Sequence, residues 1–109
     1  MGANLTNVLT AISDPTRRAI IGRLAEGPAR ISDLAAKFPM TLTGFCKHVR
    51  VLERAGLVRR TRHGRENTLQ FSPQPLREAA QWIFNYESFW NARLDGLTEF
   101  FNTRKEKLQ

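Results

Sequence analysis

The sequence has a single cysteine, Cys46, two histidines and one tyrosine in 109 residues. One thiol cannot close an intrachain disulfide, so nothing points to an oxidising compartment, and the expected setting is the cytoplasm. His48, His63 and Cys46 stand without a carboxylate pair or metal-ligand spacing beside them. A hydrolytic or metal-dependent enzyme is therefore left without its chemistry. No apolar run approaches the roughly 18 residues needed to cross a bilayer. Met1-Gly2-Ala3-Asn4-Leu5 also lacks the basic-then-apolar layout of a secretion signal, so neither membrane insertion nor export is expected. Acids are scarce as well: ten Asp and Glu face seventeen Lys and Arg, a net charge of +7. That surplus points to a polyanionic partner, either nucleic acid or an anionic membrane surface. With 41% hydrophobic and 25% charged residues, the composition is that of a folded chain and not of a disordered basic tail. The length suits one core and excludes a multidomain enzyme, so residues 1–109 are expected to form a single domain.

The charge is unevenly placed. Between Asp14 and Arg65 stand twelve Lys and Arg against four acids, whereas the rest of the chain has five bases against six acids. Basicity belongs to the first two thirds, and the C-terminal third must be stabilised and used differently. There is no internal repeat and no low-complexity tract.

Leu5, Val8, Leu9 and Ile12 recur at helical spacing, with Thr6, Asn7 and Thr10 around the other side, and predict a short amphipathic helix. Asp14-Pro15 reads as an N-cap with proline at the first helical position, and Ala19, Ile20, Ile21 and Leu24 supply the buried stripe of a second helix. Gly27-Pro28 ends it. Ser32 is expected to cap a third helix with Leu34, Ala35 and Phe38 inward and Ile31 packed on its first turn, stopped by Pro39. Thr41 or Thr43 then caps a fourth helix over 41–55, with Phe45, Val49 and Leu52 at i, i+4 and i+7 and Gly56 as the left-handed C-terminal residue. Two short helices joined by a turn, the second strongly basic, make a helix-turn-helix.

Past Gly56 the period changes. Leu57 to Arg62 and Glu66 to Phe71 read as two strands around His63-Gly64-Arg65, with Leu69 and Phe71 alternating with polar neighbours. The expected fold is a winged helix-turn-helix, mainly α with a small β-hairpin wing over 57–71. Ser72-Pro73-Gln74-Pro75 breaks the strand, and no proline intervenes from Leu76 to about Lys105. There Leu76, Ala80, Ile83, Trp90, Leu94, Leu97 and Phe101 form one apolar stripe, and Trp82, Tyr86, Phe89 and Phe100 a second. One long helix or a broken pair, apolar on two sides, cannot hide both stripes against so small a domain. It predicts a partner, and the simplest partner is a second copy of the chain. The same aromatics offer the lining of an apolar effector pocket between subunits, but packing is the commoner use of such stripes.

Three stretches resemble one family. Ala11-Ile12-Ser13-Asp14-Pro15-Thr16-Arg17-Arg18-Ala19-Ile20-Ile21 is similar to the opening of arsenical-repressor (ArsR/SmtB) type winged-helix regulators. Lys47-His48-Val49-Arg50-Val51-Leu52-Glu53-Arg54-Ala55-Gly56-Leu57-Val58 resembles their recognition block, followed by the wing turn His63-Gly64-Arg65-Glu66. Pro75-Leu76-Arg77-Glu78-Ala79-Ala80 and Phe89-Trp90-Asn91-Ala92-Arg93-Leu94-Asp95 look like one subgroup of that family. The resemblance implies homodimeric DNA-binding repressors whose first and last helices form the dimer interface and whose effector releases DNA. On this chain it implies an N-terminal dimerisation helix over 1–13, a helix-turn-helix and wing over 14–72, and a C-terminal dimerisation helix over 73–109. Dimer contacts would come from Leu5, Val8, Leu9, Ile83, Tyr86, Trp90, Leu94, Leu97 and Phe101. Metal-sensing members carry cysteines in the helix before the recognition helix, or His and carboxylates in the last one. Here Ile31-Ser32-Asp33-Leu34-Ala35-Ala36 has no cysteine and the last helix no histidine, so metal sensing does not carry over.

A major-groove helix needs short polar or basic side chains on its exposed N-terminal face. With Phe45, Val49 and Leu52 inward, that face carries Thr41, Leu42, Thr43, Cys46, Lys47 and Arg50. Lys47 is expected on a base or phosphate, Thr43 and Cys46 on base edges, and Arg50 on phosphate. Leu42 is unusual in such a place, and a thymine methyl is the contact it suggests. His48 borders the inward stripe, leaving open a hydrogen-bonded structural role and a phosphate contact. Arg60, Arg62, His63 and Arg65 surround the wing, where cations favour a narrow minor groove. Arg17 and Arg18 are within reach of backbone phosphates or are ordinary surface charge.

The expected function is a homodimeric, sequence-specific DNA-binding regulator, a repressor reading an inverted repeat through helix 41–55 and wing 57–71. Its partners would be double-stranded operator DNA, its own second copy and an effector of unknown chemistry, with no metal, cofactor or membrane. Two alternatives stand beside it. One is a winged-helix protein-interaction module. The other is a thiol-responsive repressor in which oxidation or alkylation of Cys46, beside Lys47, adds bulk at the DNA face.

Overall fold

In the computed structural model, which describes the backbone of residues 2–108 and the side chains of 5–103, the chain runs α1 (Gly2–Ile12), α2 (Pro15–Leu24), β1 (Ala29–Arg30), α3 (Ile31–Ala35), α4 (Leu42–Arg54), β2 (Val58–His63), β3 (Glu66–Phe71) and α5 (Gln74–Leu108). It divides into two compact units, Met1–Ala79 and Ala80–Gln109.

The joint between α1 and α2 is made by polar groups at helix ends. Asp14 takes extended backbone angles, φ −105° and ψ 131°, and its carboxylate accepts from the Arg17 backbone N–H at 3.0 Å, with Pro15 in the first turn. The last carbonyls of a helix lack partners within it and favour cations. Arg17 and Arg18 supply both needs. Arg17 Nε donates to Ala11 O at 2.7 Å, another of its guanidinium nitrogens donates to Thr10 O at 3.0 Å, and Arg18 donates to Ile12 O at 2.8 Å. The two arginines, expected as phosphate contacts or plain surface charge, thus hold the end of α1.

The third helix differs from its expectation at both ends. It covers Ile31–Ala35, its N-cap is Arg30 with no side-chain capping bond, and Ser32 lies inside it. The reason is a strand too short to show a period. Ala29 and Arg30 pair with Leu69 and Thr68 of β3, which holds the backbone extended up to the first helical residue. Arg30 then joins Asp33 at 3.0 Å and Glu66 at 2.8 Å, linking the start of α3 to the wing. The glutamate hydrogen bond is the main cause raising the arginine's pKa above its usual value.

α4 forms where the apolar spacing placed it. Thr41 is its N-cap, accepting from the Gly44 N–H at 3.0 Å, and Phe45, Val49 and Leu52 are fully buried. Its other end closes with two bonds, Gly56 N–H to Glu53 O at 2.9 Å and Leu57 N–H to Leu52 O at 3.0 Å. This is the Schellman arrangement, which needs a left-handed residue at Gly56, where φ is +75°. Because that bond holds Leu57 in the cap, the first wing strand starts one residue later than expected. β2 pairs antiparallel with β3 from Val58↔Phe71 to His63↔Glu66, around Gly64 at φ +62°. The sheet order is β1-β3-β2.

Among the described residues, the buried apolar side chains all fall between Val8 and Ala79, with Ile20, Leu34, Phe45, Leu52, Leu57 and Leu69 at the centre. Each such large side chain contributes about 1.5–3 kcal/mol relative to exposure. Phe38 is half-buried and packs its ring 5.5 Å from that of Phe45. Val8, assigned on the family pattern to a dimer interface, is 1% exposed, so the chain's own core already covers it. The periodicity of α1 identified a buried face but not what buries it. Leu5 is half-buried against the same core, and Leu9 is exposed. α5 starts at Gln74, directly after Pro73 and with Pro75 in its first turn, and is a single helix, which decides between one helix and a broken pair. Every described side chain from Ala80 onward is exposed.

Candidate nucleic-acid interface

Burying Phe45, Val49 and Leu52 fixes the rotation of α4 and so decides what its opposite face presents. Thr41, Leu42, Thr43, Lys47 and Arg50 are exposed, and Cys46 is half-buried between them. No acid lies in the first turn, and Thr41 occupies the capping position. The helix end therefore offers its free backbone N–H groups and positive dipole without a local carboxylate to repel phosphate. Among the described residues, Lys47 and Arg50 have no acidic partner, so their charge is available to a polyanion.

His48 sits differently. Its ring is half-buried, with Nδ1 3.1 Å from a guanidinium nitrogen of Arg17 and 3.9 Å from the Asp14 carboxylate. A guanidinium only donates, so Nδ1 is the acceptor in this bond and Nε2 carries the proton. Arg17 thereby spans the end of α1 and the middle of α4, and the rotation of the basic helix is tied to the α1–α2 joint as well as to the core. The Asp14 carboxyl is held below its usual pKa, chiefly by the Arg17 backbone hydrogen bond, with the charge of the Arg17 guanidinium helping in the same direction. The sequence left His48 between a DNA contact and a hydrogen-bonded structural role; the structure gives it a partner inside the protein.

On the wing, strand alternation separates two faces. Arg60 opposes buried Leu69 and reaches back to α4, where it bonds Glu53 at 2.8 Å. Arg62 donates to the carbonyl of Gly64 at 3.0 Å and so braces the turn. Arg59, Thr61 and His63 alternate onto the opposite, exposed face, and Arg65 is exposed at the tip. Arg59 was absent from the sequence-derived set. Counting by twos from Val58, which is buried, would have put it on the open side. Arg60, by contrast, carries a charge already partly answered by Glu53.

The other candidate contacts lie along α5. Ile83, Tyr86, Trp90, Leu94, Leu97 and Phe101 are between 46% and 58% exposed. Trp82 and Tyr86 stack with ring centroids 5.3 Å apart, and Tyr86 meets Trp90 edge-on at 6.0 Å, so these rings already form a ladder along one side of the helix. Among the described residues, no group of three or more His, Cys, Asp or Glu is placed to hold a metal, and no helix is long and apolar enough to cross a membrane.

A two-helix unit presenting a basic second helix, followed by a cationic β-hairpin, defines a winged helix-turn-helix DNA-binding protein. Comparison with known proteins refines that class. A helix-turn-helix domain model matches residues 12–61. The HTH-type transcriptional regulator Rv2034 of Mycobacterium tuberculosis is 32% identical over 93 residues, 85% of this chain and 84% of that protein. The transcriptional repressor SdpR of Bacillus subtilis is 29% identical over 82 residues, 75% of this chain and 91% of that one. The crystal structure of an ArsR family transcriptional regulator superposes with a TM-score of 0.78 at 36% identity, covering 84% of this chain and 94% of that one. The chain belongs to the ArsR family of DNA-binding transcriptional regulators, which are not enzymes.

Proposed function

We propose that the protein is a homodimeric repressor that binds an inverted repeat in double-stranded DNA, one half-site per subunit. The observation that carries this reading is the set of unpaired cations on one face of α4 and on the open side of the wing. In it α4 enters the major groove with Thr41, Leu42, Thr43, Cys46 and Lys47 toward base edges. Arg50 takes a phosphate, and His63 and Arg65, joined by Arg59, follow the adjacent minor groove, while Arg62 braces the wing turn. His48 and Arg60 act through the protein, orienting α4 and holding the wing to it.

Dimerisation is assigned to α5. Twelve large apolar side chains are exposed among the described residues, ten of them from Trp82 to Phe101. An exposed apolar surface of that size on one helix favours a second copy of the same helix. Repression follows from occupancy, since a dimer covering two half-sites blocks access to that stretch of DNA, and the similarity to SdpR supports it. The setting is the cytoplasm, where the DNA is.

Selection from a random duplex library with the full chain at moderate salt, followed by titration of the winning sequence, tests the proposal. Recovery of an inverted repeat with half-sites about one helical turn apart is expected, with affinity falling steeply as salt rises. Weak, salt-sensitive binding to all DNA alike, with nothing enriched, would overturn it.

A further inference from the structure

Two large apolar side chains are exposed among the described residues before α5, Leu9 at 39% and Leu42 at 61%. Leu9 lies on α1 beside residues packed into the core. Leu42 has no such reason to be apolar. It is the first residue of α4, Phe45 already occupies the inward position of that turn, and its neighbours Thr41 and Thr43 are polar and exposed. A polar residue would cost the fold nothing there. The side chain stands on the same end of the helix as the free N–H groups and one turn before Cys46 and Lys47.

The major groove presents polar edges from every base and one apolar group, the 5-methyl of thymine. Leucine has no donor or acceptor with which to read a polar edge, and desolvating such an edge without a replacement bond is unfavourable. Its favourable partner is a methyl group. We infer that Leu42 is a specificity-determining residue that reads a thymine methyl in each half-site, so that the operator carries thymine at the position facing the start of α4. This inference rests on the proposed placement of α4 in the major groove.

The test uses the winning duplex of the selection, with each thymine replaced in turn, symmetrically in both half-sites, by deoxyuridine. That change removes the methyl group and leaves every hydrogen-bonding group in place. Burial of one methyl-sized group corresponds to about fourfold in affinity, so loss from both half-sites is expected to weaken wild-type binding by somewhat more than tenfold, about 16-fold. One thymine position should show this loss. Leu42→Ala should bind the thymine duplex about as weakly as the wild type binds the deoxyuridine duplex, and should be indifferent to the replacement. Because Leu42 is exposed, the variant is expected to melt as the wild type does, and the melting curve is recorded alongside. If no deoxyuridine position weakens the wild type while the selected duplex still outcompetes scrambled DNA, the methyl readout is wrong and the DNA-binding proposal stands. If Leu42→Ala keeps the wild type's sensitivity to the methyl, another residue reads it and the assignment fails. If scrambled DNA competes equally from the start, the placement of α4 and this inference fall together.

Discussion

Replacing Gly56 by alanine tests the closure of α4 where it hands the chain to the wing. Two costs arise. Gly56 has φ +75°, and an L-residue in the left-handed region loses about 1–2 kcal/mol. Its added Cβ would lie 3.3 Å from Pro75 Cγ, tighter than ordinary contact, so the proline ring in the first turn of α5 must give way by a few tenths of an ångström. Against this, alanine narrows the unfolded chain and returns about 0.4–1 kcal/mol. Net destabilisation should be about 1 kcal/mol, and nearer 2 if the ring cannot move. Two other glycines are controls. Gly64 has φ +62° with open space around the added carbon, so Gly64→Ala carries the backbone cost alone. Gly22 lies inside α2 with nothing within 4 Å, so Gly22→Ala should stabilise by about 0.5–1 kcal/mol through helix propensity. Urea unfolding followed by circular dichroism, at one fixed protein concentration, should rank the proteins Gly22→Ala, wild type, Gly64→Ala, Gly56→Ala from most to least stable. In a Pro75→Ala background the gap between the last two should close. A Gly56→Ala protein as stable as the wild type, or a gap that survives Pro75→Ala, would refute the reasoning.

Three further outcomes follow from the site and the ends of the helices. The lowered pKa of Asp14 stabilises the fold fully above its unfolded value, about 3.9; that contribution is lost as pH falls through the folded value. Asp14→Asn keeps a capping side chain but cannot titrate, so its stability should fall less steeply than the wild type's below about pH 4 in acid titrations followed by circular dichroism; identical slopes would count against the cap. Lys47→Ala should weaken binding to the selected duplex by about tenfold and binding to random DNA far less, measured by fluorescence anisotropy, whereas equal loss on both would reduce Lys47 to a phosphate contact. Trp90→Glu places a charge in the exposed aromatic ladder and should convert a dimer to monomer in gel filtration with light scattering; an unchanged dimer would remove that part of α5 from the interface.

What could be read from the sequence depended on whether a local pattern had enough residues to repeat. Phe45, Val49 and Leu52 span two turns, and with Thr41 before them and Gly56 after, α4 was legible together with its exposed face. Gly64, followed by the alternating Leu69 and Phe71, made the wing legible in the same way. β1 has two residues, too few for any period, and its pairing with β3 displaced the cap that Ser32 suggested. Val8 was misplaced because periodicity marks an apolar face without naming its partner. Cations posed the hardest case. Arg17, Arg18 and Arg60 look like Lys47 and Arg50 in a sequence, and only folding brings the first two to the carbonyls of α1 and the third to Glu53. Arg59 was within reach of strand alternation applied one residue further.

With β3 in the middle of the sheet, β2 keeps an open flank of backbone donors and acceptors along Val58–His63. An open flank is a template for another strand, and what defends it here is its own sequence, Val58-Arg59-Arg60-Thr61-Arg62-His63, in which any approaching copy meets like charge. The arginines proposed to carry the wing onto DNA are thus also what keeps one molecule's wing from annealing to the next. A variant stripped of several of them would lose affinity for DNA and lose its defence against self-association at once. Its weakened binding would have to be separated from aggregation by replacing the wing arginines one at a time, or with lysine.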